Sequence, residues 1–119
     1  MKSMQLAVRK SGDVTVIAIS GTITMLDSPS PLKQQVTTLV QEGARKFVLS
    51  LGQLTFVDSS CVGELVSCYV RVARVDGTLK LSQVPRRIHE LLLVTQLSEI
   101  FESFEGDSEA VASFGVHHA

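Results

Sequence analysis

Three side chains able to do chemistry stand in a row at Asp58-Ser59-Ser60, after the apolar run Leu54-Thr55-Phe56-Val57 and before a helical pattern. Side-chain oxygens at a helix mouth accept hydrogen bonds from amides that lack a partner inside the helix, so the plain reading of the triplet is a cap. The sharper reading is a serine hydroxyl held exposed beside backbone amides and a carboxylate, as a modification site or recognition point. Phosphorylating Ser59 would add about two negative charges and three acceptor oxygens at the end of an element. With Asp58 next door opposing that charge, little change is expected in the fold and much in the surface a partner meets.

Other chemistry is poorly supplied. Ser59 sits in no Gly-x-Ser-x-Gly elbow, and the chain holds only three histidines, so a serine nucleophile has no evident base. No Gly-x-x-x-x-Gly-Lys-Ser/Thr loop is present to cradle a nucleotide. Cys61 and Cys68 fall on one helix with Cα atoms about 10 Å apart, too far for a disulfide. Without histidines at ligand spacing they make no zinc site, and both are expected to be buried free thiols. His89 shares a solvated helix face with Arg86, Arg87 and Glu90, and His117 and His118 read as tail residues. The expectation is a protein that is not an enzyme and carries no metal or cofactor.

The elements that must position the triplet follow from the totals and the pattern. A chain of 119 residues is expected to form one domain, 1–119, burying roughly two thirds of its unfolded surface. Eleven Lys and Arg against twelve Asp and Glu give a formal charge of -1, which argues against direct nucleic-acid binding by phosphate neutralisation. Apolar runs such as Leu91-Leu92-Leu93-Val94 fall far short of the roughly 18 residues that cross a bilayer. Met1-Lys2-Ser3-Met4 leads into no signal-peptide core, so a soluble, cytoplasmic protein without membrane insertion is expected.

Met4 to Arg9 and Val14 to Ser20 read as a hairpin closed at Ser11-Gly12-Asp13. The second run is apolar on both faces and should lie inside a covered sheet, ending at Gly21. Ser28 or Ser30 caps a helix over about Pro31 to Glu42, with Gly43 as its left-handed stop. Phe47 to Leu51 suits a central parallel strand aimed at the triplet. After Ser60, Val62, Leu65, Val66, Tyr69, Val70 and Ala73 trace the expected buried face of a helix, opposite Glu64, Ser67, Arg71 and Arg74. Strand Thr78 to Ser82, a helix from Pro85 with Ile88, Leu91 and Leu92 inward, strand Glu99 to Phe104, and a helix from Gly106-Asp107-Ser108 to about Phe114 complete the chain. The order predicts an α/β fold, a mixed, mostly parallel sheet of about four to five strands with about four covering helices.

Leu54-Thr55-Phe56-Val57-Asp58-Ser59-Ser60-Cys61-Val62-Gly63 resembles the apolar strand end, Asp-Ser-Ser-Gly and following Leu-Gly of the STAS domain family, in particular the bacterial anti-sigma factor antagonists. The similarity runs from about Val14 to Phe114. Gly21-Thr22-Ile23-Thr24 lies where that family has Gly-Glu-Leu-Asp, and Ile88 to Leu97 resembles its helix and Thr-Gly-Leu ending. The resemblance implies that Ser59 is phosphorylated by a partner that is both anti-sigma factor and serine kinase. It also implies that the phosphorylated form releases this partner and that a PP2C-type phosphatase resets it. Asp58, Ser60, Thr24 and Asp27 would surround the phosphosite, with Ser60 as the helix cap, and Cys61, Val62 and Glu64 would line the contact surface. Cys61 replaces the family's glycine after the serines, Thr24 replaces an acidic residue for which Asp27 could substitute, and Gln96 replaces another glycine. Cys61→Gly is accordingly expected to alter affinity more than stability. The alternatives are a non-phosphorylated STAS scaffold or transporter accessory module and, more distantly, nucleotide or anion binding at the helix mouth.

Overall fold

The computed structural model describes residues 4–23 and 30–115. Gly12, at φ +64°, closes the two-residue turn between β1 (Gln5–Ser11) and β2 (Val14–Ile23), which pair antiparallel with Ser11 opposite Val14. A positive φ is what so short a hairpin turn demands. β3 (Lys46–Val57), β4 (Thr78–Ser82) and β5 (Ser103–Phe104) each run parallel to the preceding strand, in the spatial order β1-β2-β3-β4-β5. The helices are α1 (Pro31–Gln41), α2 (Ser60–Ala73), α3 (Arg86–Val94) and α4 (Asp107–Ala112). The architecture is the expected α/β one, a mixed sheet with four helices among the described residues.

Alternation along the strands divides the side chains between two layers. Ile17, Ile19, Phe47, Leu49, Leu51, Leu79 and Leu81 form one buried face against Leu32 and Val36 of α1, Leu65 and Val72 of α2, and Ile88 and Leu92 of α3. On the other face Val14, Val16 and Val48 pack under Ala110 of α4, flanked by Phe104, Val111 and Phe114. β2 is thus covered on both sides, as its unbroken apolar run requires. Lys80, nearly buried beneath α4, spends its charge locally: its Nζ donates to Ser113 Oγ at 2.8 Å, pairs with Glu102 at 3.3 Å and lies 4.4 Å from the Phe114 ring centroid.

The cap and stop of α1 stand where the sequence puts them. Ser30 Oγ accepts from Lys33 N at 3.3 Å, and Gly43 takes φ +104° beyond the last turn. Ser28 lies outside the described residues.

Two strands exceed expectation. β2 does not stop at Gly21 but passes through it at φ +88° to Ile23, and β3 runs past Leu51 to Val57. The register explains both: Ala18 faces Ser50 while Ile23 faces Val57, so β3 takes seven steps where β2 takes five, with irregularities on either side of Ser20 and Gly21. Bulges of this kind bend a strand without ending it, and glycine accepts the backbone angle they need. The last strand is shorter than expected. Leu97–Glu99 forms a turn of 3-10 helix, and only Ser103–Phe104 pairs with β4.

Candidate functional site

The bulged arm of β3 delivers Asp58 to the mouth of α2, where the amide of Asp58 donates to Ile23 O at 3.2 Å and fixes the end of the arm to β2. Asp58 Oδ1 then accepts from Ser60 N at 2.9 Å and also from Ser60 Oγ. The cap of α2 is therefore Asp58, and the expected capping role of Ser60 is corrected: its hydroxyl donates to the carboxylate rather than accepting an amide. Ser59 between them has helical angles, φ -64° and ψ -16°, makes no capping hydrogen bond, and is exposed. The mouth is filled by a side-chain carboxylate, so an inorganic anion has little to gain there.

Cys61 changes the expected surface. It is fully buried and opens the stripe Cys61, Leu65, Cys68, Val72 along α2, so it cannot line a contact surface. Spacings of four, three and four residues put these side chains on one face. The stripe expected from the valines is rotated: Val62, Val66 and Tyr69 are half-buried at its margin, and Val70 and Ala73 are exposed. Burial pushes the Cys61 thiol up to about 12, with Glu64 and Asp58 adding to the effect, and burial likewise pushes Cys68 up to about 12. Both are free, inert thiols at neutral pH.

Glu64 is held rather than presented. It accepts from Ser30 Oγ and lies 3.8 Å from Lys33 Nζ, tying the start of α2 to the start of α1. Thr24 and Asp27, expected beside the phosphosite, lie outside the described residues. Gln96 adopts φ +64°, so the turn after α3 keeps the left-handed conformation that a glycine would supply.

A cleft that no motif in the sequence signals lies beside the triplet. β4 pairs with β3 only as far as Ser50, leaving residues 52–57 without a strand neighbour on that side. A space of about 290 Å³ opens there, lined by Leu54, Thr55, Phe56, Val57, Asp58, Pro85 and Arg87. Phe56 is 58% exposed. Arg86 makes an exposed pair with Glu90 at 3.7 Å, as a solvated helix face should, whereas among the described residues Arg87 forms no ion pair.

A second polar cluster closes the α4 side of the sheet. Asp107 accepts from Ser82 Oγ, from Gln83 Nε2 at 3.1 Å and from Arg9 at 3.2 Å. Burial would raise its carboxyl, but hydrogen bonds from Ser82, Ser50, Gln83 and Arg9 outweigh that and hold it below the usual carboxylate range. Its partners are all accounted for within the fold, so it reads as the fastening of α4. No helix among the described residues is long and apolar enough to cross a membrane.

A family model described as "Mlab, STAS domain" matches residues 6–102. An anti-sigma factor antagonist from Mycobacterium paratuberculosis is similar in structure with a TM-score of 0.78 at 21% identity, covering 93% of each chain. The Bacillus cell fate determinant SpoIIAA in its phosphorylated form superposes with a TM-score of 0.73 at 18% identity, over 95% of this chain and all (100%) of that one. A sulfate transporter family protein from Wolinella succinogenes gives 0.72 at 18% identity, over 87% and 85% of the two chains. At these identities the likeness is one of fold.

Proposed function

The chain belongs to the STAS domain family, and from that premise we propose that it is an anti-sigma factor antagonist whose partner binding is switched by phosphorylation of Ser59. One observation carries the proposal: the cap of α2 is made by Asp58, which leaves the adjacent serine exposed and its hydroxyl without a capping duty. A phosphate added to Ser59 displaces no hydrogen bond that the helix needs. It places about two further charges beside an existing carboxylate, so the fold persists while the surface becomes strongly anionic. A partner surface that meets the neutral serine is then repelled. The kinase is the anti-sigma factor itself, and a PP2C-type phosphatase restores the binding form; the antagonist catalyses neither step. Val62, half-buried beside Ser59 at the first turn, is the contact residue that this geometry supports best.

The test is to incubate the protein with ATP and each histidine-kinase-like ATPase of the same genome in turn, and to locate phosphate by mass spectrometry. Phosphate on Ser59 is expected, and an unmodified Ser59 beside an active kinase overturns the proposal. Ser59→Asp should weaken binding to that partner while Ser59→Ala preserves it.

A second reading is a non-phosphorylated scaffold or transporter accessory, favoured by the Wolinella transporter-family neighbour. On that reading the two Ser59 variants bind the partner equally.

A further inference from the structure

The geometry points to the cleft between the outer half of β3 and the start of α3 as the docking pocket for an extended segment of the partner, one that carries an apolar side chain beside a carboxylate. The inference rests on the partner-binding reading above and names the chemistry of what is bound. Four observations carry it. The cleft exists because β4 leaves β3 at Ser50 and the chain turns through Val84 and Pro85 into α3, so one edge of residues 52–57 has no strand beside it. Its volume, about 290 Å³, suits one or two side chains. Its lining is apolar at Leu54, Val57, Phe56 and Pro85, and Phe56 is more than half exposed, a costly arrangement for an aromatic ring unless something covers it.

The fourth observation is charge. Arg87 lines the cleft and, among the described residues, has no ion-pair partner. A guanidinium at the rim of an apolar pocket favours a carboxylate on the incoming segment, because its planar fork binds carboxylates in two parallel hydrogen bonds. An apolar anchor with a charged neighbour also divides labour in the usual way, burial supplying affinity and the rim charge supplying register. Asp58 lines the same cleft and directly precedes Ser59, which puts the pocket and the phosphosite side by side.

The full-length protein is panned against a phage-displayed random peptide library, and the enriched peptides are synthesised and titrated by fluorescence polarisation. Peptides carrying Leu, Ile or Phe next to Asp or Glu should be enriched. They should bind Arg87→Glu and Phe56→Ala about tenfold more weakly than wild type, with Arg87→Lys recovering only part of the loss because an ammonium keeps the charge without the fork. No enrichment, enrichment without acidic residues, or equal binding by Arg87→Glu overturns the inference. Ser59→Asp separates it from the switch: peptides that bind this variant as tightly as wild type but fail on Arg87→Glu support the pocket as a site read independently of Ser59, even where the whole partner shows no phosphoswitch. Peptides weakened by Ser59→Asp but indifferent to Arg87→Glu support the switch and remove the pocket.

Discussion

Helices α1 and α2 both open at a serine, and the two hydroxyls have opposite fates. Ser30 is 2% exposed, accepts the amide of Lys33 and donates to Glu64 on the neighbouring helix. Ser59 is exposed and caps nothing, because the carboxylate of Asp58 takes the amide of Ser60 in its place. A hydroxyl committed to the fold cannot be modified without unmaking the contacts that hold two helices together. One relieved of that duty by its neighbour can gain or lose a phosphate over an intact helix. Serine at a helix mouth is therefore not in itself a functional signal; what matters is whether another residue does the capping.

The contrast can be broken at several points, beginning where the effect is largest. Cys61→Gly removes the first member of the buried α2 stripe and places glycine in the first turn, a loss of about 2–3 kcal/mol in urea unfolding from cavity and helix propensity together. This reverses the expectation drawn from sequence, that affinity would change more than stability; a loss below about 1 kcal/mol would mean that the mouth of α2 repacks freely. Ser30→Ala should cost about 1–2 kcal/mol by thermal or chemical unfolding, since it removes a cap and a donor to Glu64. Asp58→Ala should cost about 1 kcal/mol, with Asp58→Asn keeping most of the cap. A neutral Asp58→Ala would show that Ser59 takes over the capping, and the contrast between the two mouths would collapse.

The mouth of α4 supplies a pH test. Asp107 titrates below its ordinary value in the fold, so its contribution to stability is complete above the unfolded carboxylate value near 3.8 and is lost as pH falls through the lower folded value. Unfolding followed between neutral pH and strong acid should show that loss in wild type and a reduced slope in Asp107→Asn. An unchanged slope would mean that the Ser82, Ser50, Gln83 and Arg9 contacts do not favour the ionised form. The smallest effect belongs to Ser59→Ala, expected to shift stability by less than about 0.5 kcal/mol in the same unfolding assay that registers Ser30→Ala.

Much of this was legible in the chain. The hairpin turn, the Ser30 cap, the Gly43 stop, the free buried cysteines and the α/β order all rest on local residue chemistry, and local chemistry survives folding. The outer half of β3 reads only as a separate apolar strand end at Leu54 to Val57, because Gly52 and Gln53 interrupt the apolar run that begins at Phe47. Their polarity instead reflects an arm with solvent where β4 would have been, and that is a fact of topology. Cys61 reads both as a buried thiol and, through the resemblance, as part of the contact surface; the spacing Cys61, Leu65, Cys68, Val72 decides for burial. The more hydrophobic valines drew the expected face round the helix by about one residue, and with it the contact surface. Arg87 carried no signal of its own, since the cleft it lines is assembled from segments about thirty residues apart in sequence.

The seven steps of β3 against five of β2 leave a surplus of two, and the evenness of that number matters. Inward and outward alternate along a strand, so one surplus residue would have turned Val57 out of the core and carried the capping carboxylate to the wrong side of the sheet. Two restore the alternation, and Leu51 and Val57 both remain buried. The arm can therefore tolerate changes in length only in pairs. Deleting one residue between Gly52 and Phe56 turns every side chain beyond it to the opposite face of the sheet, whereas deleting two shortens the reach of the serine by about 7 Å and leaves it facing the same way.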